Sequence, residues 1–311
     1  MSIQTLATCK NSMETFSRYS ACGNRFIIYR LPDEGAVLEL RSSAVLQRKL
    51  VKQWGADGID SILVVSGNPH NYARVGYHLT MDVFEPHAFD GASPEHAWST
   101  MCGNGVRAVA LYLYENELRQ ERYKIRTGAG TQEIVRQGEN WCVSMRYFTQ
   151  RRKDLMRYVN RLPNPIDRNQ IQFGFHFHNH SNIDGEPHAV IFVRPNLSIN
   201  NIKARAQRHG RILTHDISRF PYEINTNVAS FIRKDARYCE YHINAATYER
   251  CVYYVTESCG TGAAAVGALV FLSEQLDDKW SVLVHMPGGI LRVQRNAQNQ
   301  YFLIGPAQRE A

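Results

Sequence analysis

Two cysteines stand in matching surroundings about half the chain apart: Met101-Cys102-Gly103-Asn104-Gly105 and Ser258-Cys259-Gly260-Thr261-Gly262. Each leads into a run with helical apolar spacing, Val106, Val109, Ala110 and Leu113 in one case and Val266, Leu269 and Val270 in the other. A helix start presents unpaired backbone N–H groups and about half a positive charge, so it holds carboxylates and favours a thiolate. Glycine there leaves no Cβ to keep a ligand off those donors. A cysteine at such a start is expected to have its pKa, about 8.5 in isolation, drawn towards neutrality. Two starts facing each other would hold one carboxylate between two sulfurs. Inversion of an amino acid's α-carbon needs that arrangement: a thiolate takes the α-proton on one face, a thiol returns one on the other, and the helix ends stabilise the charge that gathers on the carboxylate. A lone cysteine before a glycine turn is ordinarily a small buried hydrophobe. The duplication lifts Cys102 and Cys259 above that reading, whereas Cys9, Cys22, Cys142, Cys239 and Cys251 lack the context and read as structural.

The repeat extends upstream. Gly23-Asn24-Arg25-Phe26-Ile27-Ile28-Tyr29-Arg30 precedes the first cysteine at much the same distance as Gly185-Glu186-Pro187-His188-Ala189-Val190 precedes the second. The run from Ala263 to Leu272 is apolar on nearly every face, as befits a helix enclosed by its own domain. Short β-rich stretches surround the two helices: Arg25 to Tyr29, Ile62 to Val65, Ala189 to Val193, Tyr253 to Thr256, Val282 to His285 and Tyr301 to Ile304. The expected fold is α+β, two pseudo-symmetric domains, each a strand-rich barrel around a central helix. The expected boundaries are 1–152 for the half carrying Cys102 and 153–295 for the half carrying Cys259. A terminal strand in 296–311 either stays with the second half or returns to the first. The boundary is placed in the basic, Pro163- and Pro165-bearing segment between Tyr147 and Pro165.

These motifs resemble the diaminopimelate epimerase family, and the likeness runs through most of the chain. It is carried by Gly23-Asn24-Arg25-Phe26, Gly58 to Val65, Met101 to Gly105, Pro187 to Val190, Asn227-Val228, Tyr248-Glu249-Arg250, Glu257 to Gly262 and Pro287-Gly288-Gly289. The pairing of Cys-Gly-Asn-Gly with Cys-Gly-Thr-Gly is the specific part, since the similar proline racemases carry histidine where this chain has Asn104. The resemblance implies epimerisation of LL- to meso-diaminopimelate by a two-base thiol mechanism, in a cleft between the domains, as a step of lysine biosynthesis. By the same resemblance, Gly103, Asn104, Gly260 and Thr261 would hold the reacting carboxylate. Asn24, Asn227, Glu249 and Arg250 would meet the rest of the substrate, Arg250 as a bidentate partner of a second carboxylate. Without the family pattern, Asn24 reads as a turn residue and Arg250 as a surface ion pair.

The chain departs from the family at several positions. Glu186 stands where asparagine is usual, Arg25 where aspartate is, and Ser61 where glutamine is. The segment Phe84 to Thr100 is lengthened and offers the acidic Glu85 and Asp90 in place of an asparagine. Glu186 would repel a second substrate carboxylate, so a racemase of a basic amino acid such as histidine is the alternative reading. A non-catalytic module binding an anion or nucleic acid at the paired helix ends is the third.

Composition narrows the classes. With 311 residues, 44% hydrophobic and 21% charged, the chain is an ordinary globular protein long enough for two domains. No apolar run approaches the ~18 residues of a membrane span and the N-terminus lacks a secretory pattern, so no membrane association and a cytoplasmic location are expected. The seven cysteines are odd in number and without a Cys-x-x-Cys pair, which argues against a disulfide framework or zinc site. The net charge of +7 is spread rather than clustered, apart from Arg151-Arg152-Lys153, and no nucleic-acid partner is expected. His176, His178 and His180 alternate along a Phe-rich strand and read as a half-buried face, not a metal site. No cofactor is expected, since neither cysteine motif carries the lysine a pyridoxal enzyme would need. The expected partner is a small amino-acid substrate, and a homodimer is open.

Overall fold

The computed structural model describes residues 15–55, 58–91, 94–95, 97–149, 171–177, 187–218, 220, 223–250 and 252–310. Strands Thr15–Ala21 (β1), Asn24–Arg30 (β2), Ser61–Ser66 (β3), Leu79–Phe84 (β4), Trp98–Ser99 (β5), Arg122–Thr127 (β6), Gly130–Gln137 (β7) and Asn140–Thr149 (β8) make the first half. Ile171–Phe177 (β9), Pro187–Val193 (β10), Asn225–Asp235 (β11), Glu240–Tyr248 (β12), Ser281–Met286 (β13), Gly289–Arg295 (β14), Tyr301–Pro306 (β15) and Gln308–Arg309 (β16) follow along the chain. Among the described residues five longer helices accompany them: Glu34–Ser42 (α1), Ala44–Trp54 (α2), Gly103–Asn116 (α3), Ile199–Leu213 (α4) and Gly260–Ser273 (α5). The result is a mixed, strand-rich α+β fold.

Strand pairing runs in order from β8 to β15, and β15 then pairs back onto β8. Helix α5 touches every strand of that circuit. It is buried from Gly260 to Phe271, which an all-round apolar sequence permits and nearly requires. In the other half the order is β8-β7-β6-β4-β3-β2-β1-β16. The C-terminal segment therefore pairs with β14 and β8 through β15 and with β1 through β16.

Alternation along the strands explains how two layers form. Ile28, Leu63 and Val65 join the core around α3, while Ile27, Tyr29, Ile62 and Val64 point the other way, under α1 and α2. The second half repeats the scheme: Val190, Ala229 and Ala245 face α5, and Ala189, Ile191, Val228 and Ala246 face α4. Strand β3 is buried at all six positions because both its faces are covered.

Five of the six expected strands are present. The exception is Tyr253 to Thr256, where Val255 makes a single bridge to Tyr248 and Tyr253 takes a left-handed φ of 64°. The chain instead turns back on itself, Tyr253 N–H donating to Glu249 O at 2.9 Å, which sends Tyr254 into a cavity and Tyr253 outward against His215. The outer helices α1, α2 and α4 carry too thin an apolar stripe to announce themselves: α1 buries only Val37 and Leu40, and α4 interrupts its stripe with His209 and Gly210. Among the described residues no helix is long and apolar enough to cross a membrane.

Candidate active site

Cys102 and Cys259 are the N-caps of α3 and α5, with nearly the same backbone, φ −132° and ψ 111° against φ −117° and ψ 113°. Each sulfur accepts the N–H three residues on, from Gly105 and from Gly262, both at 3.3 Å. The first carbonyl bonds inside the helices go to Val106 and Ala263, so the earlier N–H groups of each helix are left for other acceptors. The two starts abut: a Cβ built on Gly103 would lie 3.8 Å from Gly260 Cα, and one on Gly260 only 3.0 Å from Asn104 Oδ1. Glycine at 260 is what lets the second start lie this close to Asn104.

A hydrogen-bonded knot ties the halves together at that point. Asn104 Nδ2 donates to Asn24 Oδ1 at 2.5 Å and to Ser258 Oγ at 2.7 Å, and Ser258 Oγ donates to Asn24 Oδ1 at 2.8 Å. Asn104 Oδ1 accepts from Arg107 Nη2 at 2.8 Å. Arg107 is fully buried, and among the described residues its Nε and Nη1 have no partner. Burial holds its pKa down at about 10, against a smaller upward pull from Cys22 and Cys102. Nearby, a Cβ on Gly288 would lie 2.4 Å from Cys22 O, so the turns at Gly23 and at Pro287-Gly288-Gly289 pack backbone against backbone.

One cavity of about 110 Å³ is lined by both cysteines together with Asn24, Gly103, Asn104, Glu249, Arg250, Gly260 and Thr261. Asp60, Ser61, Glu85, Asn225 and Tyr254 line it too. Of the residues anticipated from sequence, Asn227 is placed differently. It is buried behind α5, accepting from Thr247 Oγ1 at 2.7 Å and donating to Ala189 O at 2.9 Å. A Cβ on Gly262 would meet its Oδ1 at 2.5 Å. Asn225, two residues earlier on β11, is the asparagine that reaches the cavity, its Oδ1 accepting from Arg250 N at 3.0 Å. Alternation puts both on one strand face, so spacing alone gives no way to choose between them. Glu186, His178 and His180 lie outside the described residues, and so does the Pro163-to-Pro165 boundary segment.

Sequence reasoning registered Glu85 and Ser61 only as departures and passed over Asp60. The register Ile62↔Phe84 between β3 and β4 sets Ser61 beside Glu85, and Glu85 Oε2 accepts from Ser61 Oγ at 2.9 Å. Burial, opposed by bonds from Ser61 and Ser99 and reinforced by the charges of Glu249 and Asp60, raises the Glu85 carboxyl to about 7. Asp60 accepts from Arg25 N at 2.7 Å, and burial raises it as well. The carboxylate of Glu249 accepts a short hydrogen bond from Thr256 Oγ1. Asp90 is not among the lining residues.

The thiols correct one expectation. Instead of being drawn towards neutrality, Cys102 is pushed up to about 12, by burial first and the Glu85 charge second, against the pull of the Gly105 and Asn104 N–H groups. Burial and Glu249 likewise raise Cys259 well above the ordinary thiol value, against Thr261 and the Gly262 N–H. The helix starts do act downwards on both sulfurs, but enclosure beside carboxylates outweighs them. With those carboxylates uncompensated, both groups are thiols at neutral pH.

A family model described as diaminopimelate epimerase matches residues 182–310. The diaminopimelate epimerase of Desulforapulum autotrophicum is 30% identical, the match covering 94% of this chain and 95% of that one. That of Bacillus cereus is 26% identical over 96% and 95% of the two chains. Among solved structures, a probable proline racemase from Agrobacterium radiobacter superposes with a TM-score of 0.62 at 14% identity, over 95% of this chain and 91% of the other, a likeness of fold.

Proposed function

The chain belongs to the diaminopimelate epimerase family and is an isomerase, and from that premise we propose that it inverts the α-carbon of an amino acid with Cys102 and Cys259 as opposed proton carriers. The observation that carries this reading is that both sulfurs cap abutting helix starts and line one cavity. The α-carboxylate would lie on the N–H groups of residues 103–104 and 260–261, where the charge released by removal of the α-proton is stabilised. One sulfur must be a thiolate for that step. A substrate brings positive charge among Glu85, Asp60 and Glu249, and so offsets the carboxylates that, after burial, hold the thiols up. Binding thereby favours loss of one thiol proton, and the other thiol keeps the proton it will return on the opposite face. No cofactor enters the scheme.

In the same reading the molecule is two pseudo-symmetric strand barrels, divided near residue 152, each wrapped on one of the helices α3 and α5. Substrate identity follows the family first, LL-diaminopimelate to its meso isomer, with Arg250 meeting the second carboxylate. Glu85 in the cavity favours a second substrate reading, an amino acid with a basic side chain.

Exchange of the α-proton in D₂O, followed by NMR together with the change in optical rotation, tests the reaction. Cys102→Ser and Cys259→Ser should each lower turnover by about 10²- to 10⁴-fold. Retention of full inversion by either variant would remove that cysteine from the mechanism and favour a ligand-binding role for the cavity.

A further inference from the structure

Resting on the inversion reading, we infer that Glu85 is a specificity residue that holds a cationic group on the substrate's side chain, so that the enzyme serves amino acids ending in an ammonium or imidazolium. The cavity wall carries three carboxylates, Asp60, Glu85 and Glu249, against one guanidinium, Arg250. The buried guanidinium of Arg107 does not line the cavity and is engaged with Asn104. Two of the carboxylates are otherwise engaged: Asp60 accepts the Arg25 backbone N–H at 2.7 Å, and Glu249, besides accepting from Thr256 Oγ1, is hydrogen-bonded with Cys259 and so committed to the reacting sulfur. Among the described residues Glu85 is held by hydroxyls, from Ser61 at 2.9 Å and from Ser99.

Hydroxyl donors orient a carboxylate without neutralising it. A carboxylate enclosed in that way and facing two others is costly until a cation arrives, and charge-assisted hydrogen bonds to such a cation are the strong kind. The α-carboxylate of a substrate is provided for at the helix starts, and its α-ammonium satisfies at most part of the negative wall. An amino acid with a neutral side chain brings no further positive charge. One with a cationic side chain supplies it where Glu85 waits, on the same wall as Cys102 but reached from β3 and β4 instead of from either helix start.

Diaminopimelate, with its distal ammonium, and monocarboxylic diamino acids share this chemistry, as does histidinium. The experiment measures α-proton exchange in D₂O for LL-diaminopimelate, lysine, ornithine and histidine beside the neutral norleucine and glutamine, in the wild type, Glu85→Gln and Glu85→Asp. Wild type should prefer the cationic members, and Glu85→Gln should shrink that preference by about 10- to 100-fold, the worth of one hydrogen bond to a charged group. Glu85→Asp should recover part of it, and thermal melts at pH 5 check that both variants fold. The order within the cationic group names the substrate, and either order supports the assignment. Equal exchange of neutral and cationic members, or a Glu85→Gln variant that slows both alike because it had been holding the α-ammonium, overturns it while leaving inversion intact. Absence of exchange with every amino acid in the wild type overturns the inversion reading and this inference with it.

Discussion

The two helix starts share one backbone geometry in unlike electrostatic surroundings. Both cysteines cap a glycine-flanked turn with a 3.3 Å bond, yet α3 buries a guanidinium one turn in, at Arg107, whereas α5 carries no charged residue. Cys102 faces Glu85; Cys259 faces Glu249 and Thr261. The feature held in common is the one that moving a proton from face to face requires. What differs is charge, which distinguishes one end of a substrate from the other.

Unequal room behind the two starts gives the largest effect. Gly262→Ala would drive a Cβ to 2.5 Å from both Asn227 Oδ1 and Thr247 Oγ1, buried groups that are bonded to each other. It should cost about 1–3 kcal/mol of stability, read as a lower midpoint in a thermal melt. Gly103→Ala meets nothing nearer than 3.7 Å, so the midpoint should stay while KM rises, because the new methyl enters the carboxylate cradle. Equal losses of stability in the two variants would mean that the starts are packed alike.

A middle-sized effect belongs to Arg107, the charge present on one side only. Arg107→Met removes a positive group that Cys102 feels, and alkylation of Cys102 by iodoacetamide at pH 9 should slow about tenfold, one pKa unit, with Cys259 little changed. Peptide mapping by mass spectrometry separates the two sites. Equal slowing at both would show that the guanidinium acts through general loosening of the fold.

The smallest effect concerns pH. With the Glu85 carboxyl raised from 4.5 to about 7 in the folded protein, the native state holds a proton that the unfolded chain has already released. Stability from this group is thus complete below pH 4.5 and declines as pH rises through 7. Glu85→Gln should therefore melt progressively higher relative to wild type between pH 5 and pH 8. A constant difference across that range would place the carboxyl at its ordinary value.

Much of this site is legible in the sequence because it is local. A cysteine, two glycines and a helical apolar run are contiguous, so the cap geometry of Cys102 and Cys259 follows from neighbours within five residues. Asn24, Glu249 and Arg250, singled out by the family pattern, line the cavity. Contributions that depend on pairing between distant strands are not legible. Glu85 owes its place to the β3–β4 register, and the choice of Asn225 over Asn227 depends on how β11 lies against α5. Thiol acidity fails for a related reason: helix-start electrostatics can be read from a motif, but enclosure by carboxylates from other elements cannot. The outer helices α1, α2 and α4 escape notice because each needs only a narrow stripe to lie on a sheet whose opposite face is already filled.

The pairing of Tyr19 with Arg309 and Ser20 with Gln308 bears on how the chain is made. β16 lies about 290 residues downstream of its neighbour β1 and is synthesised long after it. Until then β1 keeps one bare edge, a surface prone to wrong pairing that invites protection by chaperones. The sheet bearing Cys102 is thus completed at this edge by a contact of very long sequence separation, a kind of pairing that forms slowly.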